Sequence, residues 1–283
     1  MRKNAYAILE PMKGGETDSR GFTIVETMIV LAVSGLIFLI AAFFIAGKQR
    51  ETQFNQGIRD AQAQLQQIIN EVATGFYPDS NNFSCTPGAT GPTFSTVIQT
   101  GQGSNSGCIF LGKAIQFQTG TNDPEQLSVL TIAGNQNDSS GDTVTDLSTA
   151  FPKVVPTSIG GALTTDLLEN GITTKWIHFN GGASAGAIAF VAALNPSVAN
   201  NGLTTGTLQV SAVPVNGTSL GMSTAAMTAA INANLTTSTQ NPSAGVQVCL
   251  VSGTTQESGL ITIGGSGRSL GVNLSIRENQ TCS

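Results

Sequence analysis

Hydrophobic and polar positions change their rhythm along this chain. From Thr27 to Gly47, 21 residues pass without a single charge. Wound as a helix, that stretch spans roughly 32 Å, enough for the hydrocarbon core of a bilayer. The pattern then turns amphipathic. Phe54, Ile58, Ala61, Leu65, Ile68 and Val72 recur at spacings of three and four, while Asp60, Gln62, Gln66, Gln67 and Glu71 fill much of the rest. Gly75 and Pro78 stop the repeat, so a single helix is predicted to run to about Thr74. Gly35 and Gly47 are its soft points.

Past that helix the signals are those of strands. Residues 76–107 are rich in Pro, Gly, Asn and Ser and read as a loop. Short β-branched or aromatic runs bounded by turn residues follow at Cys108–Gln118, Leu127–Ala133, Thr173–Phe179, Ala187–Leu194, Leu208–Val213, Val246–Val251, Leu260–Ile263 and Leu270–Ile276. Ser223–Leu235 is rich in alanine and reads as a helix set between strands. The expected class is α+β: one long N-terminal helix packed on an antiparallel, β-rich head.

The start of the apolar run carries the most specific pattern. It reads Gly21-Phe22-Thr23-Ile24-Val25-Glu26-Thr27, with one carboxylate, Glu26, at its mouth. The run is too long for an ordinary secretory signal, and Lys48-Gln49-Arg50-Glu51, not a small-residue cleavage site, follows it. The segment is therefore expected to be retained, with residues 1–21 removed in front of it.

Gly21, Phe22, Thr23, Glu26 and the apolar helix behind them resemble the class III signal of type IV prepilins and type II secretion pseudopilins, over residues 20 to about 75. The resemblance implies a cleaved leader (1–21), a transmembrane and filament-core helix (22–47), its amphipathic continuation (48–75) and an extracytoplasmic head (76–283). It implies cleavage by a prepilin peptidase between Gly21 and Phe22, N-methylation of Phe22, and an inner-membrane assembly platform that builds many subunits into a filament. The chain would sit in the cytoplasmic membrane with its head outside, then in a surface or periplasmic filament. A carboxylate at membrane depth costs about 2.5–3.5 kcal/mol and needs a partner. In a stack of parallel helices Glu26 can meet the Phe22 amine of the neighbouring subunit.

Composition narrows the rest. Only 10% of residues are charged, and the net charge is −5. Such a chain is neither a charge-rich disordered segment nor a basic nucleic-acid binder. Cys85, Cys108, Cys249 and Cys282 form an even set, which on the extracytoplasmic side reads as two disulfides with three possible connectivities. Cys85–Cys108 and Cys249–Cys282 are preferred, because each joins neighbours in chain order across one excursion. No C-x-x-C is present and His178 is the lone histidine, which argues against zinc.

No constellation of catalytic residues stands out, and the chain is not expected to be an enzyme. His178 lies in a strand pattern without a nucleophile motif. Gly264-Gly265-Ser266-Gly267 lacks the following G-K-[ST] of a phosphate loop. Asp138, Asp142 and Asp146 offer oxygen ligands for calcium, without the spacing or terminal Glu of an EF-hand. Near the C-terminus, Gly265-Ser266-Gly267-Arg268 resembles the Ser-Gly-Arg turn of H-type minor pseudopilins. That resemblance would make Arg268 and Arg277 a DNA-contacting pair. Two arginines neutralise only a couple of phosphates, so nucleic acid is not the expected partner. The functional expectation is a structural filament subunit; the alternative is a minor pilin acting at the tip as an adhesin or DNA-uptake receptor.

Overall fold

The computed structural model describes residues 23–75, 84–96, 107–120, 123–159, 162–179, 182–192, 210–237, 245–253, 257–264, 270–277 and 282. The chain divides into two compact units, residues 1–48 and 49–283. One helix, α1 (Ile24–Ala73), contributes to both.

In the second unit α1 is followed by β1 (Ser84–Thr86), β2 (Thr93–Ser95), β3 (Cys108–Phe117), β4 (Gln126–Asn135), a single turn of helix α2 (Leu147–Ala150), β5 (Lys153–Val154), β6 (Leu163–Leu167), β7 (Ile172–Phe179), β8 (Ala183–Ser184), β9 (Ala187–Ala192), β10 (Val210–Pro214), helix α3 (Thr224–Asn234), β11 (Val246–Ser252), β12 (Ser258–Ile263) and β13 (Val272–Arg277). All described strand pairs are antiparallel. The first large sheet has the order β10-β9-β3-β4-β5, with β6 also on β4; the second has the order β13-β12-β11-β7-β8. The α+β architecture follows: a long N-terminal helix, then antiparallel sheets.

Both sheets use α1 as a shared core. Phe54, Ile58, Leu65, Ile68, Ile69 and Val72 of the helix pack in one cluster with Ile115, Phe117, Ile188 and Phe190 of the first sheet and Ile177, Val248, Ile261 and Ile263 of the second. This is the stripe that the spacing of three and four marks out, and it explains why the helix outlasts its apolar first half. Two glycines allow the close fit. A Cβ on Gly259 of β12 would lie 2.3 Å from Ile58 Cδ1, and one on Gly57 of α1 would lie 2.6 Å from Ile172 Cδ1.

The opposite face of the first sheet is covered too. Ala114, Leu130, Ile132, Ala189, Val191 and Val213 pack with Met227 and Ile231 of α3 and with Leu235. Strands buried on both faces lose the alternation of a half-exposed strand, which is why Leu111–Phe117 and Leu127–Asn135 are buried throughout. Ser223 caps α3, its hydroxyl accepting from Ala226 N–H at 3.3 Å. Val154 N–H donates to Asn232 Oδ1 at 2.8 Å and ties β5 to that helix.

Disulfides join Cys85 to Cys108 (S–S 2.02 Å) and Cys249 to Cys282 (S–S 2.05 Å). The expected loop over residues 76–107 needs correction in its described part. There the backbone forms an antiparallel hairpin, β1 with β2, in which Cys85 stands opposite Phe94. Composition hid it because each strand has only three residues. The sequence pattern likewise passed over α2, β5, β6 and β8. Three of these have four residues or fewer, and β6 is exposed over most of its length, so none carries a hydrophobic period.

Candidate assembly segment

The first half of α1 exposes almost everything it has. Fifteen large apolar side chains between Ile24 and Ile45 are at least 50% exposed. The helix is long and apolar enough to cross a membrane. Water would not tolerate so large an apolar surface; lipid or a bundle of like helices would.

Glu26 sits in the first turn of this helix and is exposed. Its backbone N–H donates to Thr23 Oγ1 at 3.2 Å, so Thr23 caps the helix. Thr27 Oγ1 donates to the Ile24 carbonyl at 2.8 Å. Thr23 and Glu26 therefore stand at N-cap and N3, the spacing of a capping box. A carboxylate at a helix N-terminus is also favoured by the helix dipole. The Thr-x-x-Glu spacing of a capping box is legible in the sequence itself. Gly21 and Phe22, the expected cleavage and methylation positions, lie outside the described residues.

The other candidate positions fall apart from one another. Asp138 Oδ1 accepts from the N–H groups of Ser140 (2.8 Å) and Asp142 (3.0 Å), closing a local turn. Asp146 caps α2 instead. The Ser148 hydroxyl and the Thr149 N–H hold its carboxyl below the usual aspartate range. Among the described residues no group of three or more His, Cys, Asp or Glu side chains is placed to hold a metal. Arg268 lies outside the described residues. Arg277 ends β13, its backbone paired with Ser258. His178 is half-buried on β7 with its ring stacked on Trp176, centroids 4.0 Å apart.

Residues 17–42 match the model of the prokaryotic N-terminal methylation motif. No match is found among curated proteins or among solved structures. The chain thus carries the prepilin-type methylation motif, consistent with the type IV pilin family, and behind it an apolar helix and an antiparallel β head. Proteins with this motif are in general non-enzymatic structural subunits that assemble with other pilins after processing by a prepilin peptidase. The motif and the exposed apolar helix together point to membrane anchoring before assembly.

Proposed function

We propose that this chain is a structural subunit of a type IV pilus or pseudopilus-like filament. A prepilin peptidase cuts between Gly21 and Phe22 and Phe22 is methylated. The subunit waits in the cytoplasmic membrane, head outside, until an inner-membrane platform adds it to the filament. The α1 helices of many copies then bundle in the core. The observation that supports this most is the exposed apolar half of α1 behind a matched methylation motif, with one carboxylate, Glu26, in its first turn.

Glu26 carries the recognition step. An uncompensated carboxylate among apolar helices is costly, and the methylated amine of a neighbour's Phe22 offsets that cost when the two helices are correctly staggered. Mismatched stagger leaves both charges buried and unpaired, so the pair selects the register of assembly.

Two measurements test the reading together. Mass spectrometry of the mature N-terminus should find methylated Phe22, and filaments sheared from cells should contain the chain. A protein that still begins at Met1, or one never recovered in filaments, overturns the proposal.

A further inference from the structure

The second sheet has one face against α1 and one face away from it. On the far side the strand registers align five side chains in a single row. Asn273 of β13 stands opposite Thr262 of β12, Thr262 opposite Gln247 of β11, Gln247 opposite His178 of β7, and His178 opposite Ser184 of β8. Directly opposed residues of antiparallel strands share a face, so every strand of the sheet contributes one member. The rows on either side of it turn inward: Ile177, Val248 and Ile261, and Phe179, Val246 and Ile263, all belong to the core around α1.

All five members are hydrogen-bonding side chains, none a carboxylate, ammonium or guanidinium, and all are partly or fully exposed. Ser184 and Asn273 are exposed and Gln247 and Thr262 half-exposed, so their donors and acceptors reach the surface. The next row on this face brings Trp176, the chain's only tryptophan, half-buried beside His178. Trp176 is locked there, because its indole N–H donates to the Cys282 carbonyl at 3.3 Å and Cys282 is bonded to Cys249 beneath it.

We propose that this face binds a neutral oligosaccharide. At about 4.8 Å between strands the row extends roughly 19 Å, the length of a short glycan. Amide, hydroxyl and imidazole groups are the partners that sugar hydroxyls take, and the face of an aromatic ring packs against the apolar C–H face of a sugar. The absence of Asp, Glu, Lys or Arg from the row selects against phosphorylated, sulfated or uronic-acid polymers, which would leave their charges unmatched. The central strands of the first sheet offer no such surface, since their two faces are covered by α1 and α3. Glycan binding needs only the head and does not rest on filament assembly.

Trp176 is a built-in reporter. The full chain, held in detergent, is titrated with neutral hexasaccharides of glucose, mannose and N-acetylglucosamine and with a sulfated hexasaccharide, following tryptophan emission and calorimetric heat. The expected result is saturable binding of at least one neutral sugar. Gln247→Ala with Asn273→Ala should weaken it by at least about tenfold, with the melting temperature and recovery in filaments unchanged. No heat from any neutral sugar at about 10 mM, where a millimolar binder is saturated, overturns the proposal, as does binding of the sulfated sugar alone or equal binding by the double variant. If that variant leaves filaments while the parent binds no sugar, the face is a contact between copies and the glycan assignment falls.

Discussion

Glu71 on α1 and Lys113 on β3 form an ion pair at 2.5 Å, with Lys113 only 8% exposed. Burial raises the Glu71 carboxyl, but hydrogen bonds from Lys113 and Gln67 and the charge of Lys113 outweigh it and hold the group below its ordinary value. The pair fastens the helix to the middle of the first sheet. Removing one partner takes a charge-assisted hydrogen bond from the other. Glu71→Gln is expected to cost about 1–3 kcal/mol, the cost of leaving a charged group poorly satisfied. Glu71→Leu with Lys113→Met should recover most of that loss in denaturant unfolding.

The same pair sets an acid limit. Because the folded-state value of Glu71 is depressed, its contribution is complete above the unfolded value near 4.5 and fades as pH falls below that, through the folded value. Melting temperature plotted against pH should therefore drop more steeply below about pH 4.5 in the parent than in Glu71→Gln.

Close approach of helix and sheet gives a second prediction. Gly259→Val would drive its side chain into Ile58, which is fully buried. Overpacking of this kind costs about 1–3 kcal/mol. Gly35→Ala, where no neighbour lies within 4 Å of the new Cβ, should leave head stability unchanged. Thermal unfolding of the two variants separates them.

Loss of the second disulfide should be seen at a distance along the chain. Cys249→Ser with Cys282→Ser opens a crosslink over 33 residues and is expected to cost about 2–4 kcal/mol. It also frees the carbonyl that holds the Trp176 indole, so tryptophan emission should move to longer wavelength in the folded variant. Unchanged emission would mean that Trp176 does not depend on the tail.

Assembly and folding should separate at Glu26. Glu26→Val removes a charge from an exposed helical turn, so the variant should be membrane-bound, processed and as stable as the parent. Its recovery in sheared filaments should fall by at least about tenfold, the effect of losing an interaction of about 1.4 kcal/mol or more per subunit. Gly21→Val should act earlier, leaving an uncut chain on a denaturing gel.

What could be read from the sequence follows from how each element is stabilised. α1 announces itself because both of its surfaces are periodic or uniformly apolar, and Gly75 ends it two residues beyond Ala73. The central strands were legible from their β-branched runs. β5, β8 and the β1–β2 hairpin were not, since pairing to a neighbour rather than any local pattern defines them. Lys113 reads as an ordinary surface lysine until β3 is placed beside α1. The row from Ser184 to Asn273 draws on five strands across some 90 positions of sequence, and only register brings it together.

The seat of α1 between the two sheets, from Phe54 to Val72, has a mechanical consequence. A load along this part of the helix axis is carried through its hydrogen-bonded turns. Phe54, Ile58, Leu65 and Val72 grip two sheets at once, so the load falls on their interlocked side chains together and not on one contact after another. Shear of this kind resists far more force than peeling. The Glu71–Lys113 bond and the fit of Ile58 over Gly259 act as teeth against sliding. This stretch of helix and its two sheets would therefore yield together or not at all.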